Sequence, residues 1–421
     1  MSGGLLELVA RGEQDKHLIG SPQFSYFKEI YKRHTNFSKE SKRVYFDQTL
    51  KWDAKLKVDI PKNGDLINNI LIFFELEDIP QETIGYSNDI GHVVIEDVKL
   101  YIGNTLIDHH TNDWLNIWSE LTSPSGKREG LNNMLGKYPI ESANFVKLNR
   151  GGKFIVPLYF WFNDFHGSSL PLVALQYHDI TIEIKICKFY KVWKRFNLRR
   201  TQFPRNVLAK ETIDNDDFPL KEYKLKDLYL LVDYIYLDSQ ERKFFAKNDH
   251  QYLIRQLQIN KNNIVQNDIS SIRLDLNFKH PILELIWLVK RKDLEITKDW
   301  FNYSDKLVTS IQDPFSDPIE SAQIFLNGIE RTTELENRYL RIYQPYRKHT
   351  NVPDAFIYVY SFAINPEQYN PSGTCNFSHI DNAQLNINFK KNISESEVIV
   401  FATNYNILRI KCGMAGLAYI N

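Results

Sequence analysis

The sequence predicts an all-β chain of two tandem domains with short helical excursions, and three observations carry that prediction. Ile, Val, Tyr and Phe recur in strand-sized alternating runs, the period-2 pattern of half-buried strands. The order of these runs repeats at about half the chain length. At 421 residues the chain exceeds one ordinary domain and suits two.

The alternating runs cover 44–52, 93–101, 180–186, 228–236, 282–289 and 398–402, and turn residues bound most of them. Helical periodicity is local, at 112–121 and 333–343, with 239–246 as a charged helical connector. The first half carries a strand, a Gly103-Asn104 turn, a second strand and then a helix. The second half repeats this order around Asn327-Gly328. Later runs at 180–186 and 383–389 are each followed by a closing strand, at 228–236 and 404–410. These features divide the chain into a lead-in arm at 1–37, a first domain at 38–238, a connector at 239–249 and a second domain at 250–421. The acidic stretch 211–217 is an alternative join, but 228–236 reads well as the strand that closes the first domain.

Composition narrows the function. Hydrophobic residues make up 43% and charged residues 25%, enough apolar content for a core in each half. Lys plus Arg and Asp plus Glu both number 52, so no global charge draws the chain to nucleic acid or an anionic membrane. The run after Gly3-Gly4 is interrupted by Glu7 and Arg11, so no secretory leader is read. No stretch of 18 apolar residues predicts a membrane-crossing helix. Cys187, Cys375 and Cys412 are too sparse for a disulfide framework or zinc site and read as reduced apolar filler.

Longer motifs add a family resemblance. Gly3-Gly-Leu-Leu-Glu-Leu-Val-Ala, Gln14-Asp15 and Phe27-Lys-Glu-Ile-Tyr-Lys-Arg-His-Thr-Asn-Phe37 resemble the start of the major capsid proteins of nucleocytoplasmic large DNA viruses. Val156-Pro-Leu-Tyr-Phe-Trp-Phe162, Leu170-Pro-Leu-Val-Ala-Leu-Gln-Tyr-His178 and the passage from Asp238 to Gln258 are similar to that family in the same order. Gln344-Pro-Tyr, Tyr358-Val-Tyr-Ser-Phe-Ala-Ile-Asn-Pro366, 371–383 and 404–419 extend the likeness through the second half. The resemblance implies two tandem eight-stranded antiparallel jelly rolls. It further implies a homotrimer with a pseudo-hexagonal outline that tiles an icosahedral shell in the virion. Implied partners are neighbouring capsomers and minor capsid, cement and penton proteins. Assembly is expected in a cytoplasmic viral factory. By the same resemblance the arm, with Gly3, Gly4, Gln14 and Asp15, lies on the inner side of the shell, near minor proteins or an underlying membrane.

Other motifs carry residue types with potential chemistry. Lys188, Lys191, Trp193, Lys194, Arg195, Arg199 and Arg200 interleave cations with rings, a composition that can stack bases and neutralise phosphates. The acidic residues that follow at 211–217 favour a surface or intersubunit loop, and no specific nucleic acid is expected. Asp108-His-His110 and His178-Asp179 contain metal-ligand chemistry, but neighbours on a strand face opposite ways, so no metal is assigned. Catalytic and phosphate-cradling motifs are absent, so no catalytic residue or cofactor is assigned. Asn36, Asn302, Asn376 and Asn392 fit the glycosylation pattern, which would need a modifying route outside the secretory pathway. The competing classes are a carbohydrate-binding β-sandwich, expected as a sugar-binding monomer, and a jelly-roll glycan hydrolase, expected to lose turnover when one carboxylate is changed.

Overall fold

The computed structural model describes residues 3–13, 15, 19–29, 31–79, 84–138, 151–195, 223–267, 269–305, 316–390 and 393–419. Met1–Phe37 forms one compact unit and Ser38–Asn421 another. In the first, helix α1 (Gly3–Val9) buries none of its residues, and Leu5, Leu6, Leu8 and Val9 stand exposed. Asp15 Oδ2 accepts the Gly12 N–H at 2.7 Å, and the rings of Phe24 and Tyr26 meet edge to face.

The second unit is built from two β-sandwiches with one plan. The first contains β1 (Phe37–Tyr45), β2 (Lys55–Asp59), β3 (Leu66–Leu76), β4 (Ile95–Ile102), β5 (Thr105–Thr111), β6 (Gly152–Pro157), β7 (Ile180–Ile186) and β8 (Leu225–Leu237). The second contains β9 (His250–Val265), β10 (Ser271–Asp275), β11 (Pro281–Arg291), β12 (Ile319–Leu326), β13 (Ile329–Glu330), β14 (Tyr358–Ser361), β15 (Ala383–Phe389) and β16 (Ser396–Lys411). The sheets of the first run β1-β8-β3-β6 and β2-β7-β4-β5; those of the second run β9-β16-β11-β14 and β10-β15-β12-β13. Adding eight to each strand number of the first roll gives the order in the second. The repeated order of elements is therefore a repeated topology, with two packed antiparallel sheets in each copy.

The strand count departs from a plain eight per roll. Leu170–Pro171, Leu335–Glu336, Cys375–Asn376 and Met414–Leu417 add short strands to the sheets, and Ile84–Tyr86 pairs with Trp193–Arg195 as a separate ribbon. Two strand candidates of the second half, at 398–402 and 404–410, are one continuous strand, β16.

Alternation places the core. In β15 every second residue is buried, and Leu385 and Ile387 point into the second sandwich with Leu285, Trp287 and Val289 of β11. In the first sandwich Ile70, Ile72 and Phe74 of β3 face Val98, Leu100, Ile182 and Ile184. Both hairpins that carry the sequence echo turn in two residues. Ile102 pairs with Thr105 around Gly103 (φ 59°), and Leu326 pairs with Ile329 around Asn327 and Gly328 (φ 51° and 77°). These left-handed positions match the right-handed twist of the flanking strands.

Helix α2 (Asn112–Thr122) follows β5, and helix α3 (Ser239–Lys247) joins β8 to β9. Asp238 caps α3 by accepting the N–H groups of Gln240 and Glu241 at 3.0 and 2.9 Å. Asp65 ties the helix to the first roll, accepting from Leu237 N and pairing with Arg242, both at 2.9 Å. Replacing Asp238 with alanine is expected to cost about 1 kcal/mol, measurable by urea unfolding, because two first-turn amides lose their acceptor. The helix expected at 333–343 starts later: Leu335–Glu336 pairs with β12, and a π-helical turn at Tyr339–Tyr343 leads into the helix Gln344–Lys348. Glu334 is held by Ser321 and Asn388, which keeps the preceding backbone extended.

Candidate functional site

The most developed site among the described residues is the junction where the two rolls meet. Its centre is α2. Thr111 caps the helix through Oγ1, which accepts the Trp114 N–H at 3.4 Å, and Asp113 sits in the first turn, where its charge suits the helix dipole. Leu115 drops into the core of its own roll. Trp114, Ile117, Trp118 and Leu121, spaced i, i+3, i+4 and i+7, face the other way. They form a separate cluster with Ile286 and Leu288 of β11, Ile399 and Phe401 of β16, and Val359 of β14. The Trp114 and Trp118 rings stack at 5.1 Å, Trp114 lies 5.7 Å from Phe401, and the Arg255 guanidinium sits 4.5 Å over Trp118. Burying one indole is worth roughly 4–6 kcal/mol at ~25 cal/mol per Å².

β11 is therefore covered on both faces, by its own roll and by α2. That explains the nearly unbroken apolar run 282–289, where a strand with one wet face would alternate. The continuous run was the available signal for this site, and treating it as an ordinary alternating strand misses it.

Polar groups frame the apolar patch. Lys290 Nζ pairs with Asp113 Oδ1 at 2.7 Å, and the buried Tyr303 hydroxyl donates to the same oxygen at 3.3 Å. Asn351 donates to the Leu121 and Glu120 carbonyls at 2.9 and 2.8 Å, satisfying the C-terminal end of α2. Arg128 bridges Glu120 at 2.6 Å and Asp354 at 3.1 Å. Beneath Trp118, whose ring meets His349 edge-on, His349 lies between Glu284 and Glu367, 2.9 Å from each. Burial disfavours a charge there, but the two carboxylates overcome it and push His349 up to about 9. The imidazolium thus donates through both nitrogens at neutral pH.

Two sheet edges also meet at this junction. The Leu257 N–H of β9 donates to Asp108 Oδ1 at 3.1 Å, and the Gln256 side-chain amide donates to the Ile107 carbonyl of β5. Nearby, Tyr177 N donates to the Gly413 carbonyl at 3.0 Å and Ala415 N to His178 Nδ1 at 3.2 Å. Gly413 has φ 78°, and a Cβ there would stand 2.7 Å from the Tyr177 ring, so the contact requires glycine.

Comparison with known proteins decides the family. Residues 25–238 match the major capsid protein N-terminus family, and residues 241–416 match the large eukaryotic DNA virus major capsid protein family. The chain is 35% identical to the major capsid protein of Pyramimonas orientalis virus, each chain covered in full. The chain belongs to the large eukaryotic DNA virus major capsid proteins. It is 32% identical to the major capsid protein of Paramecium bursaria Chlorella virus 1, again over both whole chains. A quasi-atomic structure of the PBCV-1 virus capsid superposes with a TM-score of 0.77 at 29% identity, covering 94% of this chain and 100% of that one. The Faustovirus major capsid protein, at 11% identity, shares the fold with a TM-score of 0.75 over 95% of this chain and 94% of its own. This major capsid protein is thus a structural component of the virion with the double jelly-roll fold.

The residues singled out in the sequence fall in several places. Gly3 and Gly4 lie in α1 and Asp15 just beyond it; Gln14 lies outside the described residues. In the basic aromatic run, Lys188 and Tyr190 are exposed, while Val192 and Trp193 are buried. Lys191 pairs with Glu96 at 3.0 Å, and the backbone of Trp193, Lys194 and Arg195 pairs with Ile84–Tyr86. The described half of the run is thus built into the first roll, because Trp193 and Phe189 pack into and against that roll's core. Arg199 and Arg200 lie outside the described residues.

His109 pairs with Asp97 at 2.9 Å; His110 pairs with Asp108 at 3.1 Å and stacks on Phe160. The two imidazoles serve different partners, and among the described residues no group of three or more His, Cys, Asp or Glu could hold a metal. Asn36 and Asn376 are exposed; Asn302 is half-buried and accepts from Ser304, and Asn392 lies outside the described residues. Cys187 is buried and its thiol is pushed up to about 12 by burial, Cys375 is half-buried, and Cys412 is exposed.

Proposed function

We propose that three copies of this chain close into a capsomer with a pseudo-hexagonal outline, and that such capsomers tile an icosahedral shell. The observation that carries this reading is the repeated sheet order of the two rolls, which gives three chains six similar lobes around a threefold axis. The structural relative drawn from the PBCV-1 virus capsid supports it. The segments 1–37, 38–238, 239–249 and 250–421 then act as arm, first roll, connector and second roll.

The arm, with Gly3, Gly4, Gln14 and Asp15, is assigned to the inner face. There the exposed Leu5, Leu6, Leu8 and Val9 offer an apolar stripe to a minor capsid protein or to the membrane beneath. Cement and penton proteins complete the set of partners, and assembly takes place in a cytoplasmic factory. Lys188 and Tyr190 are the described part of the basic run available to a neighbouring subunit. Light scattering of the purified protein at micromolar concentration is expected to give three times the 49.6 kDa chain mass. A folded, stable monomer would contradict the proposal.

A further inference from the structure

The parts of the junction occur twice in the chain, and within one chain only one set is joined. Strands β3 and β11 are both 11 residues long, and aligning them matches Leu71 with Ile286 and Phe73 with Leu288. Cross-strand register supplies the neighbours. Tyr229 and Leu231 lie opposite Phe73 and Leu71, as Ile399 and Phe401 lie opposite Leu288 and Ile286. Pro157 lies opposite Leu71 as Val359 lies opposite Ile286. In the second roll these positions are buried under α2. In the first, Leu71, Phe73, Pro157, Tyr229 and Leu231 are apolar or aromatic yet all partly exposed.

The helices correspond in the same way. Leu340 is buried in the core of the second roll as Leu115 is in that of the first. Counting from these anchors, Trp114, Ile117, Trp118 and Leu121 correspond to Tyr339, Ile342, Tyr343 and Tyr346. All four of the latter are exposed. The stacked pair is reproduced: Trp114 and Trp118 lie 5.1 Å apart at 24°, Tyr339 and Tyr343 5.1 Å apart at 27°. The charge pair is reproduced with both signs inverted. Asp113 corresponds to the exposed Arg338, and its partner Lys290 corresponds to Glu75. Among the described residues Glu75 makes only long ion pairs, at 3.5 Å to Lys226 and 3.9 Å to Lys153, which are weak at a surface.

We propose that the 339–348 segment of one copy docks on the outer face of the β1-β8-β3-β6 sheet of a second copy, repeating between chains the junction made within each. The inference rests on the trimer reading and names its interface. Each copy offers the helix at one place and the sheet at another, so the contact is heterologous, and three copies close a ring with six like junctions. Tyr339, Ile342, Tyr343 and Tyr346 fill the place of the two tryptophans and their apolar neighbours, and Arg338 meets Glu75.

The test is the concentration at which the full-length protein half-dissociates, followed by analytical ultracentrifugation. Tyr343→Asp and Phe73→Asp, on opposite sides of the contact, are each expected to raise that concentration at least tenfold, with the near-ultraviolet circular dichroism of the fold retained. Should either fail to fold, the exposed charge pair replaces it: Arg338→Glu and Glu75→Arg each weaken the trimer, and the two together restore it. A wild-type trimer left unchanged by the folded variants overturns the interface while the trimer stands. A monomeric wild type overturns the trimer, and the interface with it.

Discussion

Replacing Trp118 with alanine is expected to destabilise the chain by about 3–5 kcal/mol, the range for removing a large ring from a packed core. Trp118 is 2% exposed, stacks on Trp114, carries Arg255 on one face and meets His349 at its edge. Ring loss thus leaves a cavity and uncovers a guanidinium that was packed against an apolar surface. Because the ring belongs to one roll and Arg255 and His349 to the other, the loss falls largely on the coupling between them. Urea unfolding followed by circular dichroism should show one transition in the wild type and two in the variant, as each roll unfolds without the other. A destabilisation below about 1 kcal/mol, with a single transition retained, would show that the junction does not couple the rolls.

Stability should also fall between pH 6.5 and 9 because of His349. Its folded value, about 9, stands above the ordinary 6.5, so its contribution is complete below pH 6.5 and disappears as pH rises through 9. The rise corresponds to roughly 3 kcal/mol, carried by a side chain with no solvent exposure between Glu284 and Glu367. Deprotonation leaves one ring N–H to serve two carboxylates, so either Glu367 or the fully buried Glu284, which also accepts from the Thr403 hydroxyl at 3.3 Å, loses its imidazole donor. In His349→Gln the melting temperature should be lower at pH 6.5, and its further decline toward pH 9 should be much shallower than in the wild type. Parallel declines in the two proteins would assign the pH dependence elsewhere.

The plan of each roll could be read from the sequence because it is written locally. Alternation in 180–186 and 383–389 assigns two faces, and the Gly103-Asn104 and Asn327-Gly328 turns set hairpin register without reference to distant residues. Asp238 marks the start of the connector helix by the same short-range chemistry. The junction could not be read so directly, since it joins Trp114 and Trp118 to residues some 170 to 290 positions later. The helix at 112–122 shows that an apolar stripe exists but not which surface accepts it. The run 282–289 shows that both faces of a strand are buried, again without naming the cover. The basic aromatic run misleads for a related reason. Cations suggest a wet loop, while Val192 and Trp193 between them are drawn into the core and take Lys191 along, with Glu96 as its counterion.

The sealed edges of β5 and β9 bear on how such a protein stays soluble while it is made. A bare strand edge recruits any other strand and invites open-ended polymerisation. Here Asp108 and Gln256 answer backbone groups across the gap with side chains, so the two sheets come together without becoming one. Growth by strand addition is blocked at that seam, where side chains and not a backbone ladder make the contact. A shell of fixed size demands such a stop, since an amyloid-like ladder has none.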